Sequence, residues 1–479
     1  MKRILTLLAF ATIFSSAALA QNDLSVISIT APVSGCAMTA TENVTIRIFN
    51  FGATLPAATT FNVSYTINAG VPVTELVTLA VPLLSNSTFN YTFTTQADLS
   101  IPGTYTFDAT VTLVGDVNPT NDAFTGYLVT NTANSVGGTV AGGTNVCITS
   151  NSGVLTLSGH TGSVLRWEYS TDGGSTWINI SNTTTTQSYT NLTVPTLYRA
   201  VVQNGTCSIV NSSVASMTIN PATVGGTVAP SATVCSGSNS GTLTLSGRTG
   251  NVVRWERSID GGVTWIPIVN TTATQTYLNL TVTTRYRAVV QSGACPSAFS
   301  SVAIITVNPT SVGGTITPNV STVCSGSNAG TLTLSGRTGS VIRWEFSING
   351  GITWTNIANT TATQNYLNLT TTTLYRVRVQ STPCAVVYSD TATVNVVSAT
   401  VGGTLTPASS SVCTGINSGT ITLSGSNGTV TQWEFSIDGG VTWTIIANTT
   451  TTNNYSNLTQ TTMYRALSQN AGCTAAYSS

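Results

Sequence analysis

Residues able to do chemistry are few in this chain, and their types narrow the field before any fold is considered. His160 is the only histidine among 479 residues, and Lys2 is the only lysine. A Ser/His/Asp triad or a His-rich zinc site would have a single imidazole to draw on, which argues against both. Beyond the first residues there is no lysine for Schiff-base chemistry or for a Lys–Asn isopeptide cross-link. Arg166 and Glu168 alternate onto one face of a strand, and Arg199 falls on a neighbouring strand. A glycosidase-type acid pair needs two converging carboxylates, and this strand offers one. The group reads as an exposed cross-strand ion pair, worth little energetically. Charged residues make up 6% of the chain and balance to zero. No basic field is present to hold nucleic acid or an acidic membrane surface.

Cysteine is the reactive residue in real supply. Cys36 stands alone, and the other eight fall in pairs: Cys147 and Cys207, Cys235 and Cys295, Cys324 and Cys384, Cys413 and Cys473. Within each pair the separation is 60 residues. A metal site wants clustered Cys or Cys/His spacing, which this is not, so no metal or other cofactor is implied. The reading is one disulfide per pair, Cys147–Cys207, Cys235–Cys295, Cys324–Cys384 and Cys413–Cys473, in an oxidising compartment. The alternative is reduced, buried cysteines acting as small hydrophobes. Cys36 is then buried and free, or bonded to another molecule.

Export is expected from the start of the chain. Lys2 and Arg3 precede the apolar run Ile4 to Phe14, and Ala18-Leu19-Ala20 offers a cleavage site after Ala20. Cleavage would leave Gln21 first rather than a cysteine, which disfavours a lipoprotein anchor. No later apolar stretch is long enough for a transmembrane helix, so no membrane insertion is expected.

The elements that must carry these groups repeat. Trp167 to Trp177 returns as Trp255 to Trp265, Trp344 to Trp354 and Trp433 to Trp443, and these copies hold all eight tryptophans. In each, two β-type runs flank an Asp-Gly-Gly turn, or once Asn349-Gly350-Gly351, residues that tolerate the φ > 0 of a tight reversal. Val136-Gly137-Gly138-Thr139 recurs at Val224, Val312 and Val401, a period of 88, 88 and 89 residues. That period is too long for a solenoid unit and suits a whole small sandwich. Seven short strands are expected per repeat: one near Gly138–Val140, then Val154–Ser158, Val164–Tyr169, Thr176–Ile180, Gln187–Leu192, Leu197–Gln203 and Val214–Ile219. Alternation along Val164–Tyr169 puts Leu165, Trp167 and Tyr169 on one face.

The expected fold class is therefore all-β, a beads-on-a-string array of antiparallel sandwiches. The boundaries are a leader at 1–20, a first domain at 21–133, and repeats at 134–221, 222–309, 310–398 and 399–479. The first domain carries strand-like runs at Leu24–Ile29, Val44–Phe49, Phe61–Ile67, Thr74–Ala80, Phe89–Thr94, Thr104–Leu113 and Phe124–Val129. Junctions such as Asn220-Pro221-Ala222-Thr223 are short and proline-bearing. After Cys473 the last copy has six residues and lacks the counterpart of Val214–Ile219, so a fragment of a longer protein is expected.

Three resemblances sharpen this. Gly115 to Asp122, an Asn/Asp-rich turn before the last strand of the first domain, resembles the cell-adhesion-related bacterial domain CARDB. Side chains there could hold a cation such as Ca2+, although the favoured reading is an Asx turn satisfying its own backbone. The stretch Asn191 to Arg199, repeated around Tyr286, Tyr375 and Tyr464, resembles the tyrosine corner of immunoglobulin and fibronectin type III domains. With the core Trp and the Cys pair it resembles the Ig-like modules of secreted and surface proteins of Bacteroidota, often exported by the type IX route. One departure is plain. In antibody domains the second Cys follows the corner Tyr by two residues, whereas Cys207 follows Tyr198 by nine. Finally, Ser170-x-Asp172-x-Gly174-x-Thr176-Trp177 resembles the Asp-box of sialidase propellers, itself a hairpin device and not a catalytic site. The long period and the Cys pair of each unit argue against a propeller.

Trp177, Trp265, Trp354 and Trp443 follow that turn. Simple alternation leaves them exposed, where an indole stacks on sugars. The favoured alternative is a bulge that buries them under the hairpin. The functional expectation is a non-catalytic secreted or surface protein, adhesin-like or a stalk, with an extracellular glycan or protein ligand as possible partner. The alternatives are a carbohydrate-binding array, or an accessory region of a larger secreted enzyme.

Overall fold

The computed structural model describes residues 21–479, so the expected leader at 1–20 lies outside the described residues. The chain is all-β. Its first sandwich has eight strands: β1 Leu24–Ala31, β2 Gly35–Cys36, β3 Thr45–Asn50, β4 Thr60–Ile67, β5 Val73–Thr78, β6 Ser87–Thr92, β7 Gly103–Thr112 and β8 Ala123–Thr132. They form two sheets, ordered β1-β3-β6 and β2-β8-β7-β4-β5. Period-2 alternation decides the core: Ile46 and Ile48 of β3 point in, to meet Tyr65, Phe93 and Phe107. Tyr105 makes a tyrosine-corner bond, its hydroxyl donating to the Ile101 carbonyl at 2.6 Å. Strand β2 is too short to show in a hydrophobic pattern, yet it sets Cys36 opposite Thr132 in a parallel pair.

The turn before β8 serves the backbone. Asp116 Oδ2 accepts the Leu24 N–H at 2.8 Å, and Oδ1 accepts the Asn118 N–H at 2.9 Å. Among the described residues, no group of three or more His, Cys, Asp or Glu side chains is placed to hold a metal ion. Nearby Asp122 is pushed up to about 6 by burial first, then by the Asp116 and Asp23 carboxylates. A carboxyl raised in the fold stabilises it below the unfolded value of about 4, and that contribution is lost as pH rises through about 6. Asp122→Asn is therefore expected to raise the stability of this domain by roughly 1–2 kcal/mol at pH 7, after discounting for partial exposure. It should bring no gain at pH 4. Thermal unfolding at the two pH values checks this.

Each repeat is a second kind of sandwich. In the first, the strands are β9 Thr139–Ala141, β10 Asn145–Cys147, β11 Ser152–Ser158, β12 Ser163–Ser170, β13 Ile178–Ile180, β14 Thr186–Thr190, β15 Thr196–Gln203, β16 Val210–Asn211 and β17 Ala215–Asn220. One sheet is ordered β14-β11-β9; the other is β10-β17-β15-β12-β13, with β16 on β15. Trp167 is wholly buried between the sheets, and its indole N–H donates to the Thr184 carbonyl at 2.9 Å. Trp255, Trp344 and Trp433 repeat both features. Corner residues Tyr198, Tyr286 and Tyr375 are buried with them.

Leu165 is a correction. A bulge between Val164 and Arg166 breaks the alternation, so Val164 and Trp167 both face the core while Leu165 is exposed. One extra residue turns every side chain before it to the other face.

The cysteines are the larger correction. None of the four within-repeat pairs forms. The bridges are Cys36–Cys207, Cys147–Cys295, Cys235–Cys384 and Cys324–Cys473, with Cα separations of 5.1, 4.7, 4.9 and 4.8 Å. Cys413 is free and exposed. The first cysteine of each module thus bonds the second cysteine of the module after it.

The reason lies in strand direction. Cys147 ends β10, beside Asn220 at the exit of β17. Cys207 follows the far end of β15, whose Thr196 end pairs with Met217 near that exit. Eight residues of strand put the two cysteines about 26 Å apart along the sheet, far beyond the roughly 7 Å a disulfide spans. The loop bearing the second cysteine instead meets the preceding module. The Asn204 side chain donates to the Ala133 carbonyl at 2.8 Å, and Gly205 lies against Thr132.

Candidate functional site

The repeated hairpin is the place where polar, charged and aromatic groups gather. Its turn is tied by Asp172. The Ser170 hydroxyl donates to Asp172 Oδ1 at 2.7 Å and accepts the Gly174 N–H at 2.8 Å. The Thr176 N–H donates to Oδ1 at 3.0 Å and its hydroxyl to Oδ2 at 2.6 Å. Gly173 and Gly174 sit at φ of 74° and 94°, a region that side chains disfavour. Hydrogen bonds from Thr176, then Ser170, hold the Asp172 carboxyl well below the usual carboxylate range. Asn349 does the same work in the third repeat: its Oδ1 accepts the Thr353 N–H at 3.0 Å and its Nδ2 donates to the Thr353 hydroxyl at 2.7 Å.

Trp177 emerges from this turn half-buried, neither free in solvent nor sealed beneath the hairpin. The Arg199 guanidinium covers it at 3.9 Å from the ring centroid. Arg287, Arg376 and Arg465 cover Trp265, Trp354 and Trp443 in the same way, at 4.0, 4.0 and 3.9 Å. In repeats two to four a second aromatic closes the stack: Phe299 at 3.8 Å, Tyr388 at 4.0 Å and Tyr477 at 3.8 Å from the guanidinium. The corresponding position in the first repeat is Asn211, set opposite Val201 as Phe299 is opposite Val289.

Glu168 anchors the stack from below, and here the expected exposed ion pair is corrected. The glutamate is 4% exposed. Its Oε1 accepts Arg166 Nε at 2.8 Å and Nη2 at 2.7 Å; its Oε2 accepts Arg199 Nε and Nη2, both at 2.7 Å. Burial by itself would raise the pKa of this carboxyl; the bonds from Arg199 and Arg166 outweigh it and lower the pKa. Glu256 and Glu345 are held by matching pairs, Arg254 with Arg287 and Arg343 with Arg376. In the fourth repeat Gln432 replaces the first arginine and donates to Glu434 at 2.6 Å. Two bidentate guanidiniums fill the lone-pair directions of both oxygens. Such a carboxylate positions Arg199 under Trp177; it has no oxygen to spare for taking a proton from a substrate.

Sequence reasoning places Arg166, Glu168 and Arg199 near one another; that Trp177 stacks on Arg199 is seen only in the structure. It missed the aromatic at position 299 and its counterparts, whose two-residue strands carry no periodic signal. The recurrence of an aromatic at 299, 388 and 477 was the available clue.

The family model for a domain of unknown function, DUF8696, matches residues 136–221, 224–309, 312–398 and 401–479. No curated protein matches the chain. Among solved structures, the tetra-tandem repeat of the extending region of a large adhesion protein is 14% identical, covering 78% of this chain and 99% of its own, with a TM-score of 0.26. Immunoglobulin domains 1–4 of Sidekick-1 are 10% identical with the same coverage and TM-score. The FN1–FN3 domains of chicken CNTN1 are 12% identical, covering 54% of this chain and 96% of theirs, with a TM-score of 0.22. TM-scores that low mean that the chains as wholes do not superpose.

Proposed function

We propose that this chain, which belongs to the DUF8696 family, is a non-catalytic exported protein, adhesin-like or a structural stalk, whose modules are laced together to bear load. The observation that carries this is the head-to-tail order of its disulfides. Stable disulfides belong to oxidising compartments, and the basic start, apolar run and Ala18-Leu19-Ala20 support export by a cleaved leader. Ig-like modules of Bacteroidota, with a CARDB-like first domain, are the finer form of this reading.

The bridging pattern has a mechanical consequence. The spans Cys36–Cys207, Cys147–Cys295, Cys235–Cys384 and Cys324–Cys473 overlap. The shortest covalent path therefore runs from Cys36 across to Cys207, on along the backbone to Cys235, across to Cys384, back to Cys324 and across to Cys473. Only the tails, the stretch from Cys207 to Cys235 and the 60 residues between Cys324 and Cys384 lie on that path, about a quarter of the chain. Unfolding under tension then releases a short, fixed length, which suits a stalk. Single-molecule stretching from residue 21 to residue 479 tests this. The fully unfolded contour of the oxidised chain should be about a quarter of that of the reduced chain, at about 3.6 Å per residue. Equal contours would refute it.

Carbohydrate binding through Trp177, Trp265, Trp354 and Trp443 is the second reading, favoured by the partial exposure of all four residues. The arginine on each ring leaves less indole for a sugar than a bare tryptophan would offer. Glycan-array binding that Trp265→Ala weakens would support it; no signal on any glycan would remove it.

A further inference from the structure

The larger sheet of the third repeat differs from its copies at one address on the outer face. Val201 of the first repeat lies opposite Arg166, and Val289 of the second lies opposite Arg254. Both valines are buried, and the fourth repeat sets Leu467 opposite Gln432. In the third repeat the same address is Arg378, opposite Arg343. Like charges set across a ladder repel each other. Aliphatic residues in three copies show that the fold has no need of a cation there.

The charge around Arg378 is unbalanced as well. Arg376 lies two residues away on the same face of its strand, Thr373–Gln380. Among the described residues, Glu345 is the carboxylate paired with this group, and it is already full. Its Oε1 accepts Arg343 Nε at 2.8 Å, and its Oε2 accepts Arg376 Nε at 2.8 Å. Asp390 is spent elsewhere, accepting the Ile316 N–H at 2.8 Å. Three guanidiniums thus share one carboxylate. The Arg378 side chain joins no ion pair among the described residues, and its Nε is buried without an acceptor. A buried donor left unbonded is costly, and an incoming oxyanion would supply the acceptor and offset the repulsion at once.

Tyr388 stands on the other side of Arg378. The Arg376 guanidinium lies over its ring at 4.0 Å, and the residue is still 46% exposed. An aromatic with open surface beside an unsatisfied pair of cations suits an acidic sugar, whose ring C–H groups pack on the tyrosine while its anion meets the arginines. The group lies on the face of a sheet, so it offers no backbone ladder to an extended peptide. Two excess charges are few for a nucleic-acid backbone, whose affinity grows with every phosphate neutralised.

We propose that the third repeat binds an acidic polysaccharide, with one carboxylate or sulfate ester between Arg343 and Arg378 and its sugar ring against Tyr388. Arg376, held by Glu345, positions the tyrosine. This site goes beyond the tryptophan reading, because it uses no indole surface and belongs to one repeat.

The test is calorimetric titration of the full oxidised chain with short oligosaccharides. Oligogalacturonate carries the carboxylate, sulfated dextran carries the sulfate ester, and plain dextran is the neutral control. At least one acidic glycan should bind saturably at one site per chain, and plain dextran should not bind. Polyglutamate should bind at least about tenfold more weakly than that glycan. Arg378→Val installs the residue of the first two repeats and should cost at least about tenfold in affinity, the loss of a charge-assisted contact. Val289→Arg sets the same pair opposite Arg254 beside Phe299 and should raise the stoichiometry to two. Trp265→Ala should leave binding unchanged. Failure of both acidic glycans to bind, equal binding of plain dextran, polyglutamate as tight as the glycans, or full affinity in Arg378→Val would overturn the proposal. So would a folded Val289→Arg chain that still binds at one site. Loss of binding in Trp265→Ala with Arg378→Val unaffected would assign the glycan to the indoles instead.

Discussion

Trp255→Ala is expected to destabilise the second repeat by about 3–5 kcal/mol. The indole is 0% exposed and packs in a cluster with Leu243, Leu245, Tyr286 and Ile305. Truncation removes roughly 150–250 Å2 of buried aromatic surface and leaves a cavity between two sheets whose strands are fixed by their ladders. It also strips the Thr272 carbonyl of the donor that reaches it at 3.0 Å. Chemical denaturation of the oxidised chain, followed by the remaining tryptophans, measures the loss. A change below about 1 kcal/mol would contradict the burial of this ring.

Cys295→Ser carries the second large effect. It opens a loop spanning 148 residues, for which the chain-entropy estimate is about 5 kcal/mol. The outcome that discriminates is which thiol appears. Under the observed connectivity the substitution frees Cys147 and leaves Cys235 bonded to Cys384. Under pairing within a repeat it would free Cys235. Alkylation of the folded variant, followed by peptide mass spectrometry, reads the answer. Labelling at Cys147 is the expected result, and labelling at Cys235 would overturn the head-to-tail order.

How far the sequence led can be judged from particular residues. The seven strands expected in the first domain and in the first repeat lie within about three residues of where alternation and turn chemistry put them, because those signals are local, whereas the short β2, β10 and β16 carry too little pattern to be read. The core role of Trp167 and its copies was equally legible. Leu165 was misplaced because a bulge carries no compositional mark. Glu168 was read as exposed because a single strand cannot show that two arginines and an indole will roof it. The cysteine pairing failed for a deeper reason. In a periodic chain a bond from Cys147 to Cys207 and one from Cys147 to Cys295 differ by one repeat period, and both recur with perfect regularity. Spacing alone cannot choose between them; strand direction can. Two clues were present, the unpaired Cys36 at the front and the nine-residue gap between Tyr198 and Cys207. Both point to a bridge near the end of a module, and shifting the pairing by one module uses Cys36 and leaves Cys413 over.

Covalent lacing between successive modules is tested most directly by peptide mapping of the unreduced, alkylated protein. The expected digest contains four linked pairs, Cys36–Cys207, Cys147–Cys295, Cys235–Cys384 and Cys324–Cys473, with Cys413 alkylated. A linked pair joining Cys147 to Cys207, with Cys36 alkylated, would contradict it.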